Sequence, residues 1–502
     1  EISECLVGSE MCIRDRNFYL PLALAIATAP MFHVAMAAAD YAKGVVIINE
    51  NKYGEASTIN HLQPDLRTGY FTYRVFQKEN PKRTLGQTSC SSAYDNLLYV
   101  VSKQSKAQNA TTAGGILTAI EPTTMKWQWQ MDQLDPSGKR AEGRGFLGVT
   151  TDKAYVSSSN GIWVIDLATH TSKGMIEGTQ NPNGVDDKPA SDGTSTIYHG
   201  QCGTMVAAAG RVFAAHQIFG LLVIDPTTDT LEHTISLDFV ADGAAIGSIV
   251  ADKEGFLWLS VAKSSDTFAP SLSVLVRVNP STLETSVFNL PEGVYGPATT
   301  WDSWKPDSFC ASSTEPYLFW TGAEQSFYAG SVIYRFDTTT AEAKALIDFR
   351  EESDVEIPWQ VYGCSMRVDP ADGTLYTSVY QDFTSTAYAV RTFKSDGTSL
   401  RSYPMEKAYW FPGMMLFPES QLAAVENVVW EAPGSLGVLI DGRSVELTGI
   451  HAGITAEVFS VSGAKIASAR ADADGHAKFD MDFAPGIYIA AAGPQKAKFA
   501  VR

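Results

Sequence analysis

The feature that most constrains this chain is a turn that recurs seven times. A short apolar strand runs into Ile120-Glu121-Pro122-Thr123-Thr124. The pattern returns at Ile165-Asp166-Leu167-Ala168-Thr169, Ile224-Asp225-Pro226-Thr227-Thr228, Val278-Asn279-Pro280-Ser281-Thr282 and Phe336-Asp337-Thr338-Thr339-Thr340. Leu62-Gln63-Pro64-Asp65 and Phe393-Lys394-Ser395-Asp396-Gly397 are weaker copies, and the spacing runs from 45 to 59 residues. Proline presets φ at the first corner of such a turn, and the Asp or Thr side chain bonds nearby backbone amides. Upstream of most copies lies a strand with an aromatic centre (Tyr99, Tyr155, Phe213, Trp258, Phe319, Tyr376). Before that comes a strand of small residues, such as Cys90-Ser91-Ser92-Ala93 or Cys202-Gly203-Thr204-Met205. Each repeat is therefore four strands: A (small residues), B (aromatic centre), C (ending at the turn) and D. Four-stranded units at this period read as the blades of a propeller. The expected fold class is all-β: a seven-bladed β-propeller followed by a small Ig-like β-sandwich.

The ends of the repeat array predict closure. The first copy begins with strand B, at 44–49. The segment 411–417 is a strand with no B, C or D after it. It is expected to supply strand A of the first blade and to remove two open sheet edges.

The expected domains are residues 1–16, a read-through artefact; 17–39, a signal peptide; 40–420, the propeller; 421–435, a linker; and 436–502, the C-terminal sandwich. Residues 1–16 resemble translated sequencing-adapter read-through. The next segment has an apolar core from Leu20 to Ala29 and ends in Ala37-Ala38-Ala39, the form of a secretory signal. No other apolar run is long enough for a transmembrane segment. In the tail, short alternating strands are separated by turns such as Asp441-Gly442 and Ser462-Gly463.

In a propeller the D-to-A and B-to-C loops emerge on one face. Here both sets carry amphipathic rings and charged side chains, whereas the A-to-B turns are short and polar. The candidate ligand-binding residues are Tyr53, Arg144, Tyr198, His199, Phe219, Trp301, Trp304, Phe327, Tyr328, Trp359, Tyr362 and Trp410. Loops that only join strands do not need tryptophan, and Trp and Tyr give wide, stiff contact area. Packing of these rings on one another, to hold long loops down, is the competing reading.

The net charge of −18 argues against a nucleic-acid partner, which needs a basic field. Of the six cysteines, Cys90, Cys202, Cys310 and Cys364 follow the signal segment, and none forms a CxxC pair. Each opens a strand A. Two readings stand: small buried thiols beside the channel, and a Cys310–Cys364 disulfide between neighbouring blades. Ring positions place the four too far apart for one tetrahedral metal. No G-x-S-x-G elbow, H-E-x-x-H or P-loop is found in the sequence, and no carboxylate spacing marks an acid–base pair. A binding protein, rather than an enzyme, is expected, with no cofactor and no catalytic or metal residues.

Two resemblances add to this reading. Residues 458–466 (VFSVSGAKI), 483–489 (FAPGIYI) and the ending 498–502 (KFAVR) resemble the C-terminal sorting domain of the Bacteroidetes type IX secretion system. That implies a partnership with the secretion machinery. It also implies export through the periplasm to the outer-membrane surface or the medium. Residues 46–54 (VIINENKYG) resemble the opening segment of the Bacteroidetes YncE-like surface propellers, as do Leu85-Gly86 and Leu222-Val223-Ile224-Asp225. Some members are outer-membrane lipoproteins that capture vitamin B12 and similar corrinoids. Here Lys52 stands where the pattern has a glycine-like step, and the residue directly after the cleavage point is Asp40, not the cysteine of a lipoprotein. The resemblance implies a corrinoid-like ligand, and the aromatic loop face suits a small planar or amphipathic one, corrinoid or other. A surface protein or glycan as partner, and a metal-assisted hydrolase or lyase at the channel mouth, are the alternatives.

Overall fold

The computed structural model describes residues 40–184, 195–263, 272–297, 308–322, 329–353, 355–425, 436–450, 455–460, 464–472, 475–479, 481–492 and 495–501. The expected artefact and signal peptide lie outside these residues, as does 426–435 of the expected linker.

Strands follow the turn repeat. The chain opens with β1 (Val45–Asn49), β2 (Thr58–Leu62) and β3 (Phe71–Thr72). A four-stranded antiparallel sheet follows, of β4 (Gln87–Tyr94), β5 (Leu97–Gln104), β6 (Leu117–Ile120) and β7 (Trp127–Met131). The next is β8 (Gly143–Thr150), β9 (Lys153–Ser158), β10 (Gly161–Asp166) and β11 (Thr171–Met175). Then come β12 (Cys202–Ala208), β13 (Arg211–His216), β14 (Gly220–Asp225) and β15 (Thr230–Ile235). The fourth is β16 (Ala244–Ala251), β17 (Leu257–Lys263), β18 (Val274–Val278) and β19 (Thr285–Asn289). The fifth takes β20 (Cys310–Ala311) and β21 (Tyr317–Thr321), skips β22 (Ala329–Gly330), and continues with β23 (Val332–Asp337) and β24 (Glu342–Asp348).

The last sheet joins the two ends of this region. β25 (Gln360–Val368), β26 (Leu375–Tyr380), β27 (Tyr388–Phe393) and β28 (Ser399–Pro404) meet β29 (Pro412–Leu416), which continues into β1, β2 and β3. β29 pairs antiparallel with β1, Val46 opposite Leu416 and Ile48 opposite Met414. The strands expected at 44–49 and 411–417 are thus bonded partners. Among the described residues helix is confined to short pieces such as α1 (Val75–Glu79) and α2 (Pro418–Val425). Among the described residues no helix is long and apolar enough to cross a membrane.

Each sheet shares an apolar cluster with the next. Tyr99 and Trp129 meet Phe146 and Trp163; Tyr155 and Val164 meet Val212 and Leu222; Phe213 and Val223 meet Ile246 and Leu257. Trp258 and Leu275 meet Leu318 and Trp320; Phe319 and Ile333 meet Val361 and Leu375. Tyr376 and Val390 then meet Val45 and Met415, and Val46 and Ile48 meet Leu98 and Val100. The aromatic centres of the second strands are all buried in these layers. Burying one such ring contributes roughly 1.5–3 kcal/mol. The first strands also touch in cyclic order: β29, β4, β8, β12, β16, β20, β25 and back to β29. The architecture is all-β and propeller-like.

The repeated turns bond as their chemistry predicts. Asp225 accepts from the Thr227 amide (2.7 Å) and from the Thr227 and Thr228 hydroxyls (2.6 and 2.9 Å). Asp337 accepts from the amides of Thr339 and Thr340, and Asn279 from those of Ser281 and Thr282. The residue after each turn carries no comparable mark in the sequence. Met125, His170, Asp229, Leu283 and Ala341, each next after a turn, have φ between 55° and 63°. A type I turn followed by one left-handed residue closes a hairpin with a bulge, and a register shift sits beside three of these turns.

The tail forms two small sheets. One holds β30 (Gly437–Asp441), β31 (Ser444–Thr448) and β34 (Ala477–Lys478). The other runs β33 (Lys465–Arg470), β32 (Thr455–Ser460), β35 (Gly486–Ala492), β36 (Gln495–Val501). Val445, Leu447, Val458, Phe483, Tyr488 and Phe499 belong to one apolar cluster between them.

Candidate functional site

Within each sheet the first strand begins opposite the end of the second, as Gly143 does opposite Ser158 and Gln360 opposite Tyr380. The loop entering the first strand and the loop leaving the second therefore emerge side by side. On that side of several sheets lies a belt of buried charge.

Glu50 follows β1. Its carboxylate lies 3.5 Å from Lys103 Nζ at the end of β5, with both side chains at most 10% exposed. Glu142, just before β8, bonds Arg144 at 2.9 Å and Arg140 at 2.6 Å. The Glu142 side chain is 2% exposed and that of Arg144 5%. Arg144 Nε donates to Gln201 Oε1 at 2.7 Å, and Arg140 Nη2 donates to Tyr198 OH at 2.9 Å. Gln201 Nε2 in turn donates to the Tyr198 carbonyl. Burial lowers the Lys103 pKa, against the opposing pull of Glu50; Arg144 lowers it further. Gly143 lets β8 start close to β5, because a Cβ there would stand 2.4 Å from Val101 Cγ1. Buried ion pairs of this kind are weak contributors to stability, since desolvation offsets their attraction.

The belt meets an aromatic wall. Tyr362 OH donates to Glu50 Oε2 at 3.3 Å. The Tyr362 ring packs edge-on against Tyr380, Phe383 and Phe411, at 5.6–6.2 Å between centroids. Phe383 is 51% exposed, Tyr409 38% and Tyr53 80%. Tyr409 OH donates to the Thr384 carbonyl (3.2 Å), and Lys52 lies over its ring at 5.7 Å. Beside them is a cavity of about 460 Å³, lined by Asn51, Glu55, Thr58, Arg74, Lys407 and Tyr409 among others. Asn51 (φ 64°) turns the chain here and donates to the Ala56 carbonyl at 2.6 Å.

The residues singled out in the sequence separate into four groups. Tyr362 stands on the aromatic wall, and Tyr53 is exposed on the loop that carries Asn51 and Glu55 of the cavity lining. Arg144, Tyr198 and His199 lie in or beside the belt, but Arg144 and Tyr198 are buried and His199 half-buried. Trp410 is a packing residue: it is 1% exposed, stacks on Tyr73 at 5.2 Å and donates from Nε1 to the Glu406 carbonyl. Trp359 is half-buried against the cluster around Phe319, and Phe219 stacks on His216 at 4.2 Å. Trp301, Trp304, Phe327 and Tyr328 lie outside the described residues.

The expected Cys310–Cys364 disulfide is corrected. Both cysteines are buried thiols with no bridge between them. Cys364 Sγ donates instead to the Gly413 carbonyl on β29, at 2.7 Å. Burial also pushes the Cys90 thiol up to about 12, so it stays protonated and inert. Among the described residues no group of three His, Cys, Asp or Glu side chains is gathered to hold a metal.

Lys103, Glu142 and His216 were missed in the sequence. Lys103 had a signal: a lysine two residues after the apolar run Leu97 to Val101 is out of place on a buried strand. His216 Nδ1 accepts from the amides of Ile218 and Phe219, both at 3.1 Å, and so shapes the loop that carries Phe219. Burial lowers its pKa to about 4, against the Gln180 backbone, which favours the charged form. The unfolded value is about 6.5. Between these values the unfolded chain binds more protons, so stability is complete above pH 6.5 and falls as the pH drops toward 4. The loss amounts to about 3 kcal/mol. His61, also lowered by burial, adds to the same slope. Denaturant titrations from pH 7 to 4 should show this decline, and His216→Gln should remove most of it. An unchanged slope would refute the assignment.

A family model described as "Domain of unknown function (DUF5074)" matches residues 43–418. No curated protein matches the chain. Among solved structures, PorZ of Porphyromonas gingivalis is described as an essential bacterial surface component of the type-IX secretion system. It is 12% identical with a TM-score of 0.42, and the match covers 89% of this chain and 63% of PorZ. The extracellular domain of a one-component system protein from B. thetaiotaomicron is 9% identical with a TM-score of 0.41, over 91% of this chain and 57% of that one. Regucalcin from Agrobacterium tumefaciens, described as a calcium-binding protein, is 13% identical with a TM-score of 0.32, over 61% and 81%.

Proposed function

The chain belongs to the DUF5074 family, and from that premise we propose that it is a non-enzymatic binding protein that takes its ligand on the loop side of a seven-bladed β-propeller. The five separate four-stranded sheets, and the two four-strand halves of the sheet joined through β29, support the count of seven. One observation carries the function: Tyr409 exposes its ring on a cavity of about 460 Å³, and Tyr53 and Phe383 are exposed on the loops that supply its Asn51, Glu55 and Thr386 lining. That wall is bonded through Tyr362 to a belt of buried charge. Stiff exposed rings around a concavity, with a few fixed polar groups, are what a ligand site needs.

The ligand class that fits is bulky and planar or amphipathic. The resemblance of residues 46–54 to the YncE-like surface propellers, some of which capture corrinoids, makes a corrinoid the first candidate. The buried carboxylates Glu50 and Glu142 are each bonded to cations, an arrangement suited to holding a surface in place rather than to moving protons. The motifs at 458–466, 483–489 and 498–502 support a sorting role for the tail, and with the signal-like segment 17–39 they support export to the outer-membrane surface or the medium.

Titration with cyanocobalamin and with haem tests this reading. Both absorb where tryptophan emits, so a molecule bound on the loop side quenches even buried tryptophans such as Trp410. Saturable quenching in the micromolar range is expected for at least one of them. Flat emission with both ligands rules out the planar-ligand reading.

A further inference from the structure

A second concavity opens on the same side, between the sheets β4–β7 and β8–β11. Its volume is about 360 Å³, and Lys103, Lys106, Lys139 and Arg140 line it together with only two carboxylates, Asp132 and Glu142. The carboxylates are already engaged. Glu142 bonds Arg140 and Arg144, and Asp132 accepts from Gln130 Nε2 at 2.8 Å. Lys106 and Lys139 have no carboxylate partner among the described residues. The local charge is thus opposite to that of the chain, which is −18. Lys103 and Arg140 are already paired, with Glu50 and Glu142, so the excess positive charge is that of Lys106 and Lys139, and a concave site with low-dielectric walls focuses that field.

The remaining lining narrows the ligand. Gln104, Ser105 and Gln133 offer amide and hydroxyl partners, and Ile116, Leu134 and Ala141 form an apolar floor. The volume lies at the low end of small-ligand pockets, which begin near about 300 Å³. That is room for roughly one ring with its substituents. We infer that this cavity is a subsite for an acidic sugar, with its carboxylate or sulfate ester set among Lys103, Lys106, Lys139 and Arg140 and its ring on the apolar floor. The inference shares with the proposed function only the choice of side; it neither needs nor implies planar-ligand binding.

Calorimetric titrations with galacturonic acid, galactose 6-sulfate, galactose and inorganic sulfate distinguish the possibilities. Both acidic sugars are expected to bind at least tenfold more tightly than galactose, with affinity falling as salt rises. Lys106→Gln/Lys139→Gln should weaken both acidic sugars at least tenfold. It should leave the unfolding midpoint and the cyanocobalamin and haem titrations as in the wild type, because both lysines are exposed. Three results would overturn the inference: no heat from either acidic sugar, equal affinity for galactose, or wild-type affinity in the double variant. Inorganic sulfate binding as tightly as galactose 6-sulfate overturns it too, since the ring would then contribute nothing.

Discussion

Lys103→Met should lower the unfolding free energy by about 3–5 kcal/mol, the range for removing one partner of a buried ion pair. The cause is not the lost attraction but the Glu50 carboxylate left behind, 10% exposed and no longer facing the Lys103 ammonium. Neutralising both ends, as Glu50→Gln/Lys103→Met, should recover stability to within about 1–2 kcal/mol of the wild type. The amide can still accept from Tyr362 OH, as the carboxylate does at 3.3 Å. Urea titrations of the three proteins measure this directly. If Lys103→Met costs under about 1 kcal/mol, the pair is hydrated and the buried belt is wrongly drawn. The double variant has a second use: a folded protein without this pair shows whether the charge serves the ligand.

Ending the chain at Phe411 should have a larger effect than any single substitution. It removes β29, whose backbone pairs with β1 and whose neighbours include β4 and β25. Met415 and Leu416, both at most 1% exposed, leave two of the apolar layers. β1 and β25 then become bare edges in the middle of the structure, open to pairing with other chains. The product should aggregate or lack a cooperative transition. A chain ending at Val425 keeps β29 and should unfold cooperatively. Equal stability of the two would mean that β29 does not join the ends of the region.

The sequence revealed much of the fold because its signals are local. An Asp or Asn two residues before a Thr amide makes its bonds wherever it stands, so the turns at Asp225, Asn279 and Asp337 could be found by eye. The strand at 411–417 could be assigned to the first repeat because that repeat visibly lacked one. The left-handed residues after the turns were hidden, since Leu283 and Ala341 do not have the residue type that usually marks positive φ.

The site was less legible. Trp410 and Tyr362 have the same appearance in a sequence, yet one is sealed between Tyr73 and Arg74 while the other keeps part of its ring at the surface. Which ring packs and which is displayed depends on neighbours distant in sequence. The pairing of Glu50 with Lys103 spans fifty-three residues and two sheets, and no local pattern records it. Cys364 found its partner atom on β29, on the other side from Cys310, which spacing alone could not decide.

Equilibrium titration of the wild type and of Tyr53→Ala/Phe383→Ala/Tyr409→Ala with cyanocobalamin and haem tests the central claim most directly. The account predicts one saturable site in the wild type for at least one of the two, in the micromolar range or tighter. The triple variant should bind at least tenfold more weakly, a difference of about 1.4 kcal/mol, at an unchanged unfolding midpoint. A wild type that never saturates with either ligand, or a variant that binds as the wild type does, would contradict it.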